Sequence, residues 1–397
     1  MNQGFLDFSA KGAVAVDENK RRLRMAVVGL RNIGRAHLRA AQALPEECAI
    51  VAVCDLNSDI ANKSAVEFNA PGFTSTAEML KATKPDFVTV GTPHPFHAEV
   101  AIACAKAGVH CLVEKPIAST ISDAQKIIVA HKKAGTKLGV VFQRRFMSGP
   151  VKAKEIIVSG GLGPLRRMQL EYTCTRTDVY YRDSDWRGTW KGEGGGVLLN
   201  QAPHFLDVFI WLADAMPSEL SAWCDSYLHQ VEVEDRVNAM LKYADGASGF
   251  IHLSTCESPG VERMAFYGDK GALTLNGDKL RMAILDKPFL EFIRTSDKQF
   301  ASPKIEWRDV PVEPDPKTPH VPVLADFAAA CREPNRQPAV TGEEGLRSLA
   351  LANAITFSAY RNKHVKLPVS PQAYERLLKE LIRRAAERRE GGKVCGE

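Results

Sequence analysis

The sequence predicts an α/β protein in two parts: a parallel sheet covered by helices, then an α+β domain built on a large, mostly antiparallel open sheet. Three observations carry this. Across residues 23–145, short apolar runs alternate with helical stretches, which is how parallel strands buried on both faces read. Beyond residue 145 the runs switch to apolar–polar alternation and are joined by turn residues, as in antiparallel strands with one face covered. The first apolar run leads directly into Gly29 and Gly34, five residues apart, and then into a helix.

The elements follow in order. Residues 1–22 are polar and mixed and read as a tail or arm. LRMAVVGL (Leu23–Leu30) is a buried strand and Arg35–Ala43 a helix. AIVAVCDL (Ala49–Leu56) is the second strand, with a helix over Ser58–Phe68. PDFVTVGTP (Pro85–Pro93), VHCLVEKP (Val109–Pro116) and KLGVVFQ (Lys137–Gln143) supply three more strands. Helices at His97–Gly108 and Ser119–Ala134 separate them, and the first domain spans 23–145. A second domain, 146–372, holds alternating runs at Arg166–Arg176, Arg236–Asp245, Ala247–Glu257, Glu262–Gly271 and Gly271–Gly277. Helices are expected there at Leu198–Ala213, Val321–Arg332 and Glu343–Arg361, with a Pro-rich surface connection at Glu313–Pro322. Residues 373–397 form a C-terminal helix and tail; Leu377, Leu378, Leu381, Ile382 and Ala385 recur at helical spacing on its docking face.

Composition narrows the function classes. The 397 residues are 45% hydrophobic and 25% charged, with a net charge of +5. No apolar run approaches the ~20 residues that cross a bilayer, and no secretory signal opens the chain. Nine cysteines stand singly with no CxxC pair, which fits reduced thiols and a cytoplasmic setting; Cys54 and Cys111 read as core filler. No basic stripe with interleaved aromatics suggests a nucleic-acid partner. Nor do the histidines show metal-ligand spacing, so no metal site is expected.

A strand, Gly29-Leu30-Arg31-Asn32-Ile33-Gly34 and a helix is the arrangement that lays a pyrophosphate on a helix N-terminus. Gly29 permits the tight turn and Gly34 close helix–strand packing. Arg31 stands where a central glycine is usual, and its guanidinium can swing out to a phosphate. Asp55 ends the second strand 21 residues after Gly34. A carboxylate there accepts from the adenosine ribose hydroxyls and repels a 2′-phosphate, which favours NAD; a 2′-phosphate contact by Arg31 keeps NADP open.

Four further segments complete the pattern: TVGTPHPFHAEVA (Thr89–Ala101), CLVEKPIA (Cys111–Ala118), FQRRF (Phe142–Phe146) and YYRDSDWRGTWKGEGGGVLLNQAPHFLD (Tyr180–Asp207). Together with the glycine loop they resemble the glucose–fructose oxidoreductase, inositol dehydrogenase and MocA family, from about Leu23 to Pro368. The specific combination is EKP after the fourth strand, then GGG with a histidine eight residues after its last glycine. The resemblance implies an N-terminal Rossmann domain and an NAD(P)-dependent oxidoreductase acting on a ring hydroxyl of a sugar, inositol or sugar derivative. It implies a homodimer or homotetramer paired through the C-terminal sheet.

Glu114-Lys115-Pro116 lies at the C-terminal end of a parallel strand, where ligands bind in such sheets. Burial and a cationic nicotinamide would both lower the Lys115 pKa and make its amine a base. The resemblance implies this catalytic role and a cis Lys115–Pro116 bond. His204 is the second acid/base candidate, with Asn200 four residues earlier on the same expected helix face. Similar sequences commonly carry aspartate at the place of Asn200, and an amide cannot take up the proton. The resemblance sets Thr92, Pro93 and His97 along the ribose and nicotinamide, beside Glu114 and Lys115. Gln143 and Arg144 follow the fifth strand and should face the pocket. Tyr181, Trp186 and Arg187 precede the glycine run and suit a polyhydroxylated ring. Asp207 reads as a helix-surface residue. Two other functions stay open: glycoside cleavage by transient oxidation and elimination, and a non-catalytic sugar- or nucleotide-binding regulator on the same fold.

Overall fold

The computed structural model describes residues 21–391. Most of the expected arm at 1–22 and the tail after the last helix lie outside the described residues. The first sheet has six parallel strands: β1 (Leu23–Val28), β2 (Cys48–Cys54), β3 (Gly72–Phe73), β4 (Phe87–Val90), β5 (His110–Glu114) and β6 (Leu138–Val141). Their order is β3-β2-β1-β4-β5-β6, so the winding reverses between β1 and β4. The loops after those two strands diverge there and leave a crevice at the C-terminal ends. Helices α1 (Asn32–Gln42), α2 (Ser58–Phe68), α3 (Thr76–Thr83), α4 (His97–Lys106) and α5 (Ile121–Ala134) cover the sheet. Local chemistry fixes their ends. The Asn57 side chain accepts from the N–H groups of Asp59 and Ile60 at the start of α2, and Thr120 caps α5 in the same way. Gly135, at φ +67°, ends α5 in the left-handed region.

The sequence pattern missed β3 and α3. A two-residue strand is too short to show a period, and α3 buries only Met79 and Leu80.

Helix α6 (Ser148–Val158) leads into the second part, which contains α7 (Asp178–Arg182) and α8 (Pro203–Ala213). Its strands are β7 (Leu165–Thr175), β8 (Glu219–Asp225), β9 (Arg236–Lys242), β10 (Ser248–Ser254), β11 (Cys256–Gly268), β12 (Gly271–Asn276), β13 (Lys279–Leu285), β14 (Ile305–Val310) and β15 (Val365–Lys366). They form one nine-stranded sheet in the order β14-β13-β12-β11-β7-β10-β9-β8-β15. Only β7 and β10 pair in parallel; every other pair is antiparallel. Strands β8, β13 and β14 were not anticipated, nor was α9 (Phe289–Thr295). In β14 five of six residues are exposed, so no buried face betrays its period.

One face of this sheet is buried. Val237, Ala239 and Leu241 alternate inward along β9 while Met240 points out. Helices α8 and α11 (Gly342–Arg361) fill the space between the sheets, α11 packing on β8 on one side and on α5 and β6 on the other, while α10 (His320–Arg332) packs on α1 and β6 of the first part. The last helix, α12 (Pro371–Gly391), docks through Tyr374, Leu377, Leu381 and Ala385. Cys54 and Cys111 are buried. No helix among the described residues is long and apolar enough to cross a membrane.

The helix expected from Leu198 begins only at Pro203; Leu198–Ala202 form turns. The glycine run explains the delay. A Cβ on Gly196 would sit 1.9 Å from the carbonyl oxygen of Glu234, so the chain is pressed against another main chain before the helix can start. Asn200 and His204 therefore do not share a helix face.

Candidate active site

The crevice between β1 and β4 has the build of a dinucleotide cradle. A Cβ on Gly34 would lie 1.8 Å from the carbonyl oxygen of Gly29. Gly29, at φ +86°, abuts the main chain of Gly91 and Thr92. The two loops thus meet main chain to main chain. Arg31 opens α1 without a side-chain cap, and no acidic residue stands in the first turn, so the leading N–H groups are left for an anion. Arg31 and Asn32 are exposed, Ile33 half-buried, and Leu30 is buried with its N–H donating to Asp55 Oδ2 at 2.9 Å. Asp55 Oδ1 accepts from the Asn57 N–H at 3.0 Å, which fixes the carboxylate at the end of β2 with lone pairs to spare. Thr92 Oγ1 and Gln143 Oε1 are buried without partners among the described residues. Such orphaned groups beside an uncapped helix fit a bound polar cofactor.

His97 is fully buried; its ring nitrogens lie 2.8 Å from the carbonyl oxygens of Pro116 and Thr92. The ring ties the loop after β4 to the turn after β5 and has no nitrogen left for a ligand. Glu114 is likewise held from within: His37 on α1 lies 2.9 Å from its Oε1, and the Lys115 N–H reaches Oε2 at 3.2 Å. Burial pushes this carboxyl up, but the contact with His37 and nearby cationic groups outweigh it and leave the pKa below its ordinary value.

Lys115 precedes a cis bond to Pro116. Its Nζ donates to the carbonyl oxygen of Asn200 at 2.7 Å, so the turns that delay α8 turn a main-chain acceptor toward the amine. Burial lowers the Lys115 pKa, against the opposing pull of Glu114 and Glu193. His204 stands in the first turn of α8, edge-on to Phe142 at 5.8 Å between centroids. Its Nδ1 has no partner among the described residues. Burial first, then the charges of Lys115 and Arg144, push its pKa well below 6.5. A neutral imidazole and an amine of lowered basicity are therefore brought to one place from elements 89 positions apart in the chain.

Other candidates are spent elsewhere. Arg144 grips Glu262 with two bonds of 3.0 Å and stacks over Phe205; it lines a cavity of about 590 Å³ that neither Lys115 nor His204 reaches. Tyr181 is buried with its hydroxyl 2.9 Å from Thr255 Oγ1, whereas Tyr180 accepts from Asn200 Nδ2 at 2.9 Å and Gln201 Nε2 at 3.1 Å. Trp186 lies edge-on to His94, and Arg187 stacks over the Tyr180 ring. Asp207 is not on the surface: it is 1% exposed and bound twice by Arg145 at 2.7 Å.

Two residues that sequence reasoning passed over now matter. Tyr180 touches Asn200, though nothing in the YY pair tells which tyrosine faces inward. Glu193 is 1% exposed, accepts from the Gly188 N–H at 2.8 Å and closely contacts Asn200 Nδ2. A carboxylate directly before three glycines was the available signal. Away from the cleft, His229, Asp235 and Cys256 gather their donor atoms within 4.8 Å. There Asp235 is occupied by the N–H groups of Tyr227, Leu228 and His229, so the cluster anchors a loop.

Known proteins share this two-part fold. Residues 23–142 match the oxidoreductase family model described as an NAD-binding Rossmann fold, and residues 151–274 match the GFO/IDH/MocA C-terminal domain. The chain is 30% identical over 247 residues to the 1-carboxy-3-chloro-3,4-dihydroxycyclohexa-1,5-diene dehydrogenase of Comamonas testosteroni, covering 60% of this chain and 61% of that relative. It is 24% identical over 365 residues to the myo-inositol 2-dehydrogenase of Thermotoga maritima, covering 87% and 98% of the two chains. The WlbA dehydrogenase of Bordetella pertussis, solved with NADH and UDP-GlcNAcA, superposes with a TM-score of 0.76 at 27% identity, over 88% of this chain and all of that one. The chain belongs to the GFO/IDH/MocA family of oxidoreductases, and its N-terminal part is that family's NAD-binding Rossmann domain.

Proposed function

We propose that the protein catalyses hydride transfer between NAD and a secondary hydroxyl, or the matching ketone, of a sugar, inositol or sugar derivative. Lys115 and His204 exchange the hydroxyl proton. The observation that carries this reading is the Lys115 amine, half-buried, lowered in basicity and held 2.7 Å from the carbonyl oxygen of Asn200 at the entry to the His204 helix. The Rossmann crevice would hold the cofactor through Gly29–Gly34, with Asp55 on the adenosine ribose and Thr92 and Pro93 nearer the nicotinamide. When bound, NAD supplies the hydride-accepting carbon. The chain's own residues orient the alcohol. Lys115 Nζ and the free His204 nitrogen approach one oxygen, and the neutral form of either group takes its proton during oxidation. Asp55 repels a 2′-phosphate, so NAD is the preferred dinucleotide. Relatives of this chain named for inositol and glucoside dehydrogenation point to the same substrate class.

The test is a panel of inositols, aldoses and glycosides with NAD and with NADP, run on wild type and Lys115→Ala. Wild type should produce NADH with at least one member, and Lys115→Ala should lower kcat by about 100-fold or more while NAD affinity stays within about twofold. Free sugar released from a glycoside without net NADH would instead establish the eliminating mechanism. Lost cofactor affinity with full-rate chemistry would overturn the role given to Lys115.

A further inference from the structure

We propose that Glu193 is a positioning residue of this site: from the loop before the glycine run, its carboxylate fixes the orientation of the Asn200 amide and supplies the negative charge that position 200 lacks. The proposal rests on reading Lys115 and His204 as the proton-exchanging pair.

The geometry is specific. Glu193 is 1% exposed, and the Gly188 N–H holds its Oε2 at 2.8 Å. Its Oε1 accepts from Asn200 Nδ2, and the same nitrogen donates to the Tyr180 hydroxyl oxygen at 2.9 Å. An amide carries its two N–H donors on one end and its acceptor on the other. With the nitrogen committed to Glu193 and Tyr180, Asn200 Oδ1 must face away from them, and no donor among the described residues reaches it. Tyr180 also accepts from Gln201 Nε2 at 3.1 Å, so its own hydroxyl proton stays unspent. An ionised Glu193 therefore leaves one acceptor, Asn200 Oδ1, and one donor, the Tyr180 O–H, for a substrate hydroxyl. A protonated Glu193 becomes a donor, favours the flipped amide and withdraws that acceptor. The main chain of Asn200 meanwhile accepts from Lys115 Nζ, so one residue joins the carboxylate to the amine.

The groups facing Glu193 come from several elements. Arg187 lies on its own loop, and Tyr180 and Tyr181 on α7. Glu234 precedes β9 and Lys115 follows β5. His94 Nδ1 is 3.3 Å from the Glu193 carbonyl oxygen. Burial dominates, with Glu234 adding to it and the Gly188 and Asn200 hydrogen bonds opposing it, and the carboxyl is pushed up to about 7. Both protonation states are then populated near pH 7, and the amide responds there.

Glu193→Gln mimics the protonated state in the full-length protein. With NAD and the best substrate of the panel, kcat should fall at least tenfold, NAD affinity should stay within about twofold, and the limb of the kcat/KM profile near neutrality should vanish. Glu193→Asp keeps the charge, so it should keep the limb at reduced kcat, which decides the matter if the glutamine variant does not fold. Glu193→Gln with Asn200→Asp returns a carboxylate to position 200 and should recover a titrating limb. A wild-type profile in Glu193→Gln, or an equal loss at every pH with the limb unmoved, would overturn the proposal. Carbon-13 NMR of chains labelled at glutamate carboxyls needs no substrate. Wild type minus Glu193→Gln should show one carboxyl titrating near neutrality, with its midpoint raised by Asn200→Ala; an unmoved midpoint would refute the contact. If wild type turns over nothing in the panel, the reading of the site fails, while this titration still decides whether Glu193 answers to Asn200.

Discussion

Lys115 and His204 owe their chemistry to the same force. Each loses water on burial, and each is easier to deprotonate for it. The sign has a consequence for rate. A cation with a lowered pKa becomes a free base at lower pH, so sugar oxidation should rise with pH and level off below 10.5, the ordinary value for lysine. A pH–rate profile measured under saturating NAD checks this; a limb that climbs through 10.5 would mean that Lys115 is solvated in the working enzyme. Residue identity announced the two groups, because an EKP turn and a histidine after a glycine run are visible in any sequence. Their partners were not visible. Asn200 meets Lys115 through its main-chain oxygen, which no side-chain pattern encodes, and both His97 ring nitrogens face main-chain carbonyls.

At the scale of elements, α8 sets the position of His204, and the Arg145–Asp207–Glu344 cluster sets the position of α8. Arg145 comes from the turn after β6, Asp207 from the next turn of α8 beyond His204, and Glu344 from the start of α11. Three elements thus meet on one buried guanidinium. Asp207→Ala takes two of the three bonds from this buried guanidinium and leaves Glu344 alone to hold it, so it should cost up to about 3–5 kcal/mol of unfolding free energy in urea. It should also weaken catalysis by loosening α8. A change under about 1 kcal/mol would show that water replaces the carboxylate. Asp207 reads as a surface residue only if its helix has a polar face. PHFLDVFIWLA is apolar on every side, and a helix of that kind has no solvated face to offer a charge.

For the whole molecule, pH should act on stability through carboxyls buried where the sheet and the glycine run meet. Glu234 is 1% exposed; its Oε1 accepts from the N–H groups of Gly196 and Leu198, and its Oε2 has no partner among the described residues. Burial pushes its pKa from 4.5 to about 7. Between those values the unfolded chain is ionised while the folded one keeps its proton, so this group makes stability fall as pH rises, with no further loss above about 7. Glu234→Gln retains the acceptor oxygen but cannot titrate. Its stability relative to wild type should grow by up to roughly 3 kcal/mol from pH 4.5 to 7, read from urea melts at each pH. A constant difference would mean that Glu234 is ionised throughout. The open sheet face carries Trp223, Met240 and Trp307, each about half exposed or more. We propose that copies of the chain pair there, as the resemblance implies. Trp223→Glu with Met240→Glu should then shift the mass measured by light scattering toward the monomer, while an unchanged mass would assign association to another surface.

The sequence by itself determined the two-part architecture, the glycine cradle, the EKP turn and the candidate histidine. These depend on local periodicity and on residue types whose backbone or proton chemistry is intrinsic. It did not determine where α8 begins, because that boundary is set by Gly196 pressing on the Glu234 main chain 38 positions away. Nor did it tell Tyr180 from Tyr181, place Asp207 inside, or bring Glu193 to Asn200. Each of those depends on which groups lose water together, and only the packed chain decides that.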